Sequence, residues 1–314
     1  MDALSRLLLL YPVHAALEVR CEFGAPWRLD ENAAAAGVAP YHMVLTGQAW
    51  LAVGASAPRR IRAGDIVVLP QGTAHCLYTD PDAVALPVRE SRNHAVRVVE
   101  NLGGTETRES AEILCGQFRF EGESARGLLL GLPVALVIGT SQGEDRVGLR
   151  ALMALLRSET TTARPGASLV VAQLASALFA LVMRAWLEQE EASTSPGLFG
   201  LLAETRLQPA LAAMLAEPGA PWSLEALAQR CHMSRATLAR VFRQAAGTTP
   251  GEVLQRIRMA QAARHLVQGS DSVASIAEAA GYQSEAAFHR AFKRGFGVGP
   301  GSYRRQARME TRQA

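Results

Sequence analysis

The stretch from Ser223 to Tyr303 contains one pattern twice, and this repeat constrains the fold more than any other feature of the chain. The first copy ends at Pro250, and the second runs from Ser272 to Pro300. Each copy starts with a serine, a good N-cap residue, followed by apolar residues at helical spacing, and each has a glycine three residues before its proline. An internal repeat of this kind predicts two copies of one supersecondary unit.

Each copy is predicted to fold as a helix, a tight turn and a second helix. Ser234 and Ser284 follow the two turns and are the expected N-cap residues of the second helices. Two short helices joined by such a turn form a helix-turn-helix, whose second helix enters the major groove of DNA. We therefore place the first motif at 223–244 and the second at 272–294.

A single helix is predicted between the two copies, from about 251 to 268. Apolar residues recur on one side of it, and arginines lie elsewhere. At a rise of 1.5 Å per residue, such a helix is roughly 25 Å long. A rigid rod of about this length can hold two recognition helices in successive major grooves, which lie about 34 Å apart.

The sequences MSRATLARVFR, GTTP and GYQSEAAFHRAFKRGFGVGPGSYRR resemble the DNA-binding domain of the AraC/XylS family of transcription regulators. The resemblance implies that residues 206–314 form an all-α, double helix-turn-helix domain. It also implies that the partners are double-stranded promoter DNA and RNA polymerase. The chain would then be a sequence-specific transcription activator and not an enzyme.

The distribution of charge agrees with a nucleic-acid partner for the C-terminal region. Residues 206–314 contain 15 Arg and Lys against 7 Asp and Glu, a net charge of +8. The whole chain has 32 − 29 = +3, so residues 1–205 carry 17 − 22 = −5. A basic module attached to an acidic body is typical of a protein that binds nucleic acid.

Exposed positions on the second helix of each motif are the expected DNA contacts. Arg240 can pair bidentately with guanine, and Glu285 can accept a hydrogen bond from cytosine N4. The expected base contacts are Arg235, Ala236, Ala239, Arg240, Ser284, Glu285, Ala286, His289 and Arg290, and the expected phosphate contacts are Arg243, Lys293 and Arg294.

From residue 15 to about 120 the chain has short runs of strand-forming residues separated by Gly, Pro and Asp, a pattern that predicts a sandwich or barrel. The segment GDIVVLPQGTAH, which ends at His75, has the G-x5-P-x-G-x2-H spacing and resembles the second cupin motif. His42 lies where the first cupin motif places a histidine. We therefore predict an α+β chain in which residues 1–123 form a cupin-like sensor barrel.

The roles of His42 and His75 stay open at this point. In metal-binding cupins these two histidines help to hold the metal, but here the first motif has Val44 and lacks its usual glutamate. Catalytic metal sites generally have three protein ligands. The two histidines are core residues without a metal, part of a ligand pocket, or part of a metal site completed by a cysteine. No other cofactor is expected.

Residues 124–191 have helical periodicity. The segment SLVVAQLASALFALVMRAWLEQEE is apolar over a broad surface, and a helix this apolar needs a partner. It either packs on its own barrel or forms a homodimer interface, and we favour the homodimer, because regulators of this family often dimerise through such helices. Residues 192–205 are the expected linker.

No targeting or membrane segment is evident in the sequence. The apolar run from Leu7 to Leu10 is too short to span a membrane and lacks a basic flank and a cleavage site. Because no stretch of about 20 apolar residues is evident elsewhere, we expect a soluble, cytoplasmic protein.

The four cysteines form no CxxC pair and no zinc spacing. The chain start MDALSRLL, Cys21, His42 and the sequence ILCG around Cys115 resemble a narrower group of cupin-type AraC regulators that includes a sensor of reactive chlorine. This resemblance implies that Cys21 and Cys115 sense an oxidant and that the chain acts in a stress response.

The chemistry of such a sensor depends on the reactivity of its thiols. Positive charge lowers a thiol pKa, so we expect Arg20 and Arg119 to activate Cys21 and Cys115. Oxidation to sulfenic acid and capture by the second thiol would give a reversible disulfide. Two alternatives stay open: both cysteines are simply buried apolar residues, or the regulator responds to a small organic ligand or metal in the barrel.

Overall fold

The computed structural model describes residues 1–82, 86–93, 95–102, 104–107, 110–120, 127–141, 143, 146–189, 192 and 194–313, without the side chains of 308 and 310–313. The chain divides into two compact units. The strand unit comprises Val13–Glu121 and Leu132–Gln189, and the helical unit comprises Met1–Pro12, Gly122–Gly131 and Glu190–Ala314. Parts of the predicted helical segment, including 124–126, and residue 193 of the predicted linker lie outside the described residues.

The strands of the strand unit pair into two sheets. They are β1 (Val13–Phe23), β2 (Arg28–Glu31), β3 (Val38–Thr46), β4 (Gln48–Val53), β5 (Arg59–Arg62), β6 (Asp65–Val68), β7 (His75–Tyr78), β8 (Val88–Arg92), β9 (Arg97–Asn101), β10 (Ala111–Phe120) and β11 (Leu136–Gly139). One sheet has the order β11-β6-β3-β10-β1-β9-β8 and the other has the order β2-β7-β4-β5. Together with the helices of the second unit, they confirm the predicted α+β class.

The apolar core of the strand unit lies inside this strand layer. Strand β4 buries Ala49, Leu51 and Val53, while the side chains between them are more exposed, so one face of the strand packs on the core. Strand β7 is buried along its whole length. Burying large core side chains such as Trp27 and Ile61 contributes roughly 1.5–3 kcal/mol each to the free energy of unfolding.

Two long helices complete the strand unit. They are α2 (Val147–Thr161) and α3 (Ala167–Leu187), and α3 packs against both α2 and β1. The ring centroid of Phe179 lies 5.0 Å from that of Phe118 on β10, and Trp186 is fully buried. Packing on its own barrel therefore accounts for one face of α3.

The opposite face of these helices carries apolar side chains that the described residues do not cover. Leu169 and Val170 of α3 are 67% and 43% exposed, and Leu155 of α2 is 53% exposed. By length and composition α3 is apolar enough to cross a membrane. The expectation that no apolar stretch of about 20 residues occurs is therefore wrong, although core helices of soluble proteins meet the same criterion.

The helical unit contains an N-terminal helix and eight helices near the C-terminus, among the described residues. They are α1 (Ala3–Leu10), α4 (Leu198–Ala203), α5 (Gln208–Ala216), α6 (Leu224–Arg230), α7 (Arg235–Ala246), α8 (Pro250–Gln268), α9 (Val273–Ala279), α10 (Glu285–Phe296) and α11 (Pro300–Gln313), with a 3-10 turn at Thr205–Leu207.

Helix α1 belongs to the helical unit, which differs from the predicted 1–123 boundary. It packs against α5 and α8, and both Leu7 and Tyr11 are buried. Nη1 of Arg264 in α8 donates a hydrogen bond to the carbonyl of Leu9 at 2.7 Å. The first twelve residues belong to the helical unit and not to the barrel, because their apolar side chains are buried on the helices of the C-terminal region.

The helices expected from the repeat are all present. The serines at the four expected N-cap positions each accept a hydrogen bond from the backbone N–H three residues on. Gly247 and Gly297 end the second helices with left-handed φ angles of 68° and 73°. A capping box between Thr249 and Glu252 begins the joining helix α8.

Replacing Ser284 by alanine should lower the free energy of unfolding by about 1 kcal/mol, because the N–H of Ala287 loses its acceptor. Urea denaturation followed by circular dichroism measures this loss. Ser284→Asp is the matched control, since aspartate also caps helices and should retain most of the stability. Equal losses in both variants would show that the cap is not the cause.

Candidate nucleic-acid interface and cysteine cluster

The second helices of the two motifs, α7 and α10, each bury one apolar face and expose the other. Helix α7 buries Leu238 and Phe242, and α10 buries Phe288 and Phe292. Of the twelve expected DNA contacts, eleven are exposed and Ala239 is half-buried. The fold therefore places these residues on accessible helix faces, and their contacts with DNA stay predictions.

Contacts within the chain affect how freely some of these side chains can reach DNA. Arg235 forms a 3.8 Å ion pair with Glu225, and both are exposed. The His289 ring lies against Gly299, where an added Cβ would meet its Nε2 at 2.6 Å. Among the described residues, Arg240 and Arg290 form no ion pair, so their guanidinium groups remain available for an anionic or base partner.

The two cysteines of interest lie on neighbouring strands in the core of the strand unit. Cys21 on β1 pairs with Ile113, and Cys115 on β10 pairs with Val19. The cysteines are therefore diagonal neighbours across an antiparallel pair, and both are buried. The Cys21 and Cys115 side chains interact.

A line of hydrogen bonds continues from Cys115 through both histidines. Nδ1 of His42 lies 3.1 Å from Cys115 Sγ, and Nε2 of His42 lies 2.7 Å from Nε2 of His75. Nδ1 of His75 lies 2.9 Å from the carbonyl oxygen of Thr73. The sequence predicted the histidines and the cysteines separately, and the fold brings them into one cluster.

The carbonyl of Thr73 fixes the direction of every proton in this line. A carbonyl only accepts, so Nδ1 of His75 must donate, and Nε2 of neutral His75 must accept from His42. His42 then has its proton on Nε2, and its Nδ1 accepts from the thiol of Cys115.

Burial sets the ionisation state of the cluster. It lowers the pKa of His42 to about 3, with His75 as a second cause. Burial also lowers the pKa of His75, but the Thr73 carbonyl and Glu31 oppose that shift. The hydrogen bond with Cys21, followed by burial, holds the pKa of the Cys115 thiol well above its usual value. The cluster is therefore neutral, and Cys115 is a thiol.

The expected activation of the cysteines by arginine is wrong for this fold. Arg20 points away from Cys21, because neighbouring residues of a strand face opposite sides, and it pairs with Glu112 at 2.9 Å. Arg119 is exposed and pairs with Glu18 at 3.7 Å. Neither guanidinium contributes to the pKa shift of Cys115.

A cavity of about 380 Å³ opens beside the two cysteines. Its walls include Cys21, Cys115 and Trp27, together with the charged side chains of Glu90 and Arg97. A volume of this size is in the range of small-ligand sites. The two histidines do not line it, so a molecule that enters meets the sulfur atoms first.

Among the described residues, the donor geometry does not bring three side-chain ligands to one point at the two histidines. His42 directs Nε2 at His75 and Nδ1 at Cys115, so one ion cannot take both contacts. In the part of the chain that the structure describes, no group of three or more His, Cys, Asp or Glu side chains is arranged to hold a metal. The arrangement suits proton transfer better than chelation.

Comparisons with known proteins cover nearly the whole chain. A cupin family model matches residues 2–188, and a helix-turn-helix domain model matches residues 227–306. The chain is 35% identical over 310 residues to the RCS-specific HTH-type transcriptional activator RclR of Escherichia coli K12, which covers 98% of this chain and 99% of that protein. It is 29% identical over 308 residues to the HTH-type transcriptional regulator MtrA of Neisseria gonorrhoeae, with 98% and 99% covered.

One of the similar solved structures is the DNA-binding domain of AdpA in complex with a target DNA. It is 33% identical and covers 35% of this chain and 98% of that chain, with a TM-score of 0.33. ToxT of Vibrio cholerae O395 is 13% identical and covers 94% of this chain and 97% of its own, with a TM-score of 0.36.

The neutral state of His42 predicts a specific dependence of stability on pH. A histidine whose folded pKa is depressed stabilises the fold fully above its unfolded pKa of about 6.5, and the stability is lost as pH falls toward 3. Between pH 7 and pH 5 this one group should cost roughly 1–2 kcal/mol. Urea denaturation at the two pH values measures the loss.

The His42→Gln variant should lose less stability over the same pH range, because it has no imidazole to protonate. His265→Gln, which removes an exposed histidine, should behave like the unmodified protein. If His42→Gln and the unmodified protein show equal pH dependence, the buried neutral state of His42 is contradicted.

Proposed function

This chain belongs to the family of AraC-like transcription regulators that carry an N-terminal cupin domain, and we propose that it is an activator switched by oxidation of two cysteines in that domain. The observation that carries the proposal is the line of contacts from Cys21 through Cys115 to His42. It places two thiols at the wall of a cavity and a proton acceptor, His42, behind Cys115. The relative RclR is named as an RCS-specific activator, and a reactive chlorine species is the oxidant that we propose for this chain.

The DNA partner is double-stranded promoter DNA, bound by two tandem helix-turn-helix motifs. The exposed faces of α7 and α10 enter successive major grooves, with Arg240 and Arg290 positioned to read base edges. Arg243, Lys293 and Arg294 face solvent near the helix ends and contact phosphates. Binding at a promoter then brings in RNA polymerase.

The oxidation step starts at Cys21. Hypochlorous acid oxidises the Cys21 thiol to a sulfenic acid and releases chloride and a proton. The sulfur of Cys115 then attacks the sulfur of Cys21 as its own proton passes to Nδ1 of His42. Hydroxide leaves Cys21 and takes up a proton to become water, and a disulfide remains.

The two histidines account for the route of the proton. Cys115 is held as a thiol, so it needs a base before it can attack. When His42 accepts at Nδ1, it can pass its Nε2 proton to His75. Positive charge then rests on the less buried ring, whose charged form Glu31 and the Thr73 carbonyl favour.

The disulfide would change the geometry of the sheet. Diagonal neighbours in an antiparallel pair lie about 7–8 Å apart, whereas the Cα atoms of a disulfide are usually about 4.4–6.8 Å apart. Strands β1 and β10 must therefore shift, and their register already has an irregularity between Leu17 and Val19. Because α3 packs on β1, the shift reaches the exposed apolar face of α3.

We place a homodimer interface on that face. Leu155, Leu169 and Val170 are exposed there, and burying them in a second copy is favourable by roughly 25 cal/mol per Å² of apolar surface. A change at the β1–α3 contact would then alter the dimer and the spacing of its DNA-binding units. The proposed location is the cytoplasm, where thiols are kept reduced until an oxidant arrives.

The cavity beside the cysteines supports one rival function. A small organic ligand could occupy its 380 Å³ and act on the same strands without oxidation. Its charged lining, with Arg28, Asp30 and Arg97, would suit a polar molecule. In that case the cysteines would be apolar wall residues, and their replacement would leave the response intact.

Replacing Arg240 by alanine should weaken binding to a site selected in vitro by about 10- to 100-fold, because one bidentate contact with guanine is worth about 1–3 kcal/mol. The variant should also discriminate less between bases at the one base pair that Arg240 reads. Fluorescence anisotropy with labelled duplexes measures both effects. The control is Arg206→Ala, which removes an exposed arginine outside the recognition helices, and the role of Arg240 is excluded if the two variants bind alike.

Replacing Cys21 by serine should abolish promoter activation by hypochlorous acid and leave DNA binding by the reduced protein unchanged. Mass spectrometry of the oxidant-treated protein should show a Cys21–Cys115 disulfide in the unmodified chain. Cys76→Ser is the matched control, because Cys76 is also buried and its thiol donates to the carbonyl of Leu77.

Activation that survives in Cys21→Ser would remove the oxidation mechanism and favour the ligand in the cavity. Loss of DNA binding in every variant would instead point to unfolding, which circular dichroism detects. Metal analysis of the purified protein tests whether His42 and His75 hold a metal ion.

A further inference from the structure

We propose that Arg258 is a positioning residue that sets the spacing between the two recognition helices, and with it the separation of the DNA half-sites that this chain occupies. The inference rests on the DNA binding proposed above and does not depend on the oxidation mechanism. It starts from a guanidinium in α8 that bridges the approaches to both motifs.

The first contact of Arg258 is with the segment that leads into the first motif. Its Nε donates to the carbonyl of Pro218 at 2.7 Å, and its Nη2 donates to the carbonyl of Ala220 at 2.9 Å. This segment joins α5 to Ser223, the N-cap of α6. Two charge-assisted hydrogen bonds from one rigid fork fix both the position and the orientation of that segment.

The second contact is with the turn of the second motif. A Cβ added at Gly281 would lie 3.0 Å from Nη2 of Arg258 and 2.5 Å from the carbonyl oxygen of Gly219. A Cβ added at Gly219 would lie 2.3 Å from the carbonyl oxygen of Ala279. The two backbones therefore touch, and the guanidinium of Arg258 lies against both.

This arrangement links the two motifs in a way that the joining helix alone does not. Helix α8 is connected to each motif through a short non-helical segment, at 247–249 and at 269–272. Arg258 adds a second connection, from α8 to the segment that precedes the first motif and to the turn of the second motif. Arg258, residues 218–220 and residues 279–281 together form this connection, which we call the inter-motif clamp.

The clamp contains none of the residues expected to contact bases. Its loss should therefore leave the sequence preference of each half-site unchanged and alter only their separation. Simple unfolding or the loss of a phosphate contact would behave differently, because both weaken binding without changing the preferred separation. The separation of half-sites is thus the informative measurement.

The experiment is selection of binding sites from a random duplex library with the full-length protein. The unmodified chain should enrich two half-site motifs at one separation. Arg258→Met keeps the apolar stem but removes both donors, and it should enrich the same motifs at several separations. Its affinity for the best wild-type site should fall at least about tenfold, as expected when a preorganised geometry is lost.

Arg256→Met is the matched control, because Arg256 lies in the same helix and is exposed. The Arg256→Met variant should still enrich the two half-site motifs at one separation, even if its affinity for DNA falls. Arg258→Lys keeps the charge but cannot donate to two carbonyls with the same fork, and it should broaden the separations as well. If circular dichroism shows that Arg258→Met is unfolded, the Arg258→Lys variant tests the proposal instead.

One separation with wild-type affinity in the folded Arg258 variants would overturn the role of Arg258. A wild-type protein that enriches no motif would instead contradict the DNA-binding function. The two failures are therefore distinguishable within one experiment.

Discussion

Burial of helix α8 is the constraint on which the DNA-binding half of the molecule depends. Both helix-turn-helix motifs pack on this helix. Leu266 of α8 shares one buried cluster with Ile276, Phe288 and Phe292 of the second motif. Packing on one helix therefore links the two short helix pairs, and Arg258 is the proposed determinant of the distance between their recognition helices.

A comparable constraint organises the strand unit, where one carbonyl determines the protonation of three side chains, those of His75, His42 and Cys115. Because the carbonyl of Thr73 can only accept, each hydrogen bond back to Cys115 has a single direction. Burial keeps both rings neutral at rest, since a charged imidazole would be costly there. The proposed sensor therefore combines a neutral resting state with an acceptor for the Cys115 proton, and His75 would carry the positive charge, which Glu31 favours.

The two halves use similar physics for different purposes. Around Arg258, a charged fork holds backbone carbonyls and makes one geometry rigid. Around Cys115, neutral groups hold each other through protons that can move. Rigidity suits the part of the chain that measures a distance on DNA, and mobile protons suit the part that must respond to an oxidant.

The sequence by itself determined the local elements, because their signals are local. The serine caps, the terminal glycines and the helical spacing between Ser223 and Tyr303 define the repeat without reference to the rest of the chain. The cupin-like spacing ending at His75 identified the second type of unit in the same way. The tertiary structure alone decided which distant residues meet. Strand register placed Cys115 beside His42 and turned Arg20 away, and burial moved α1 onto the helical unit, because contacts between remote segments depend on pairing and packing that no local pattern records.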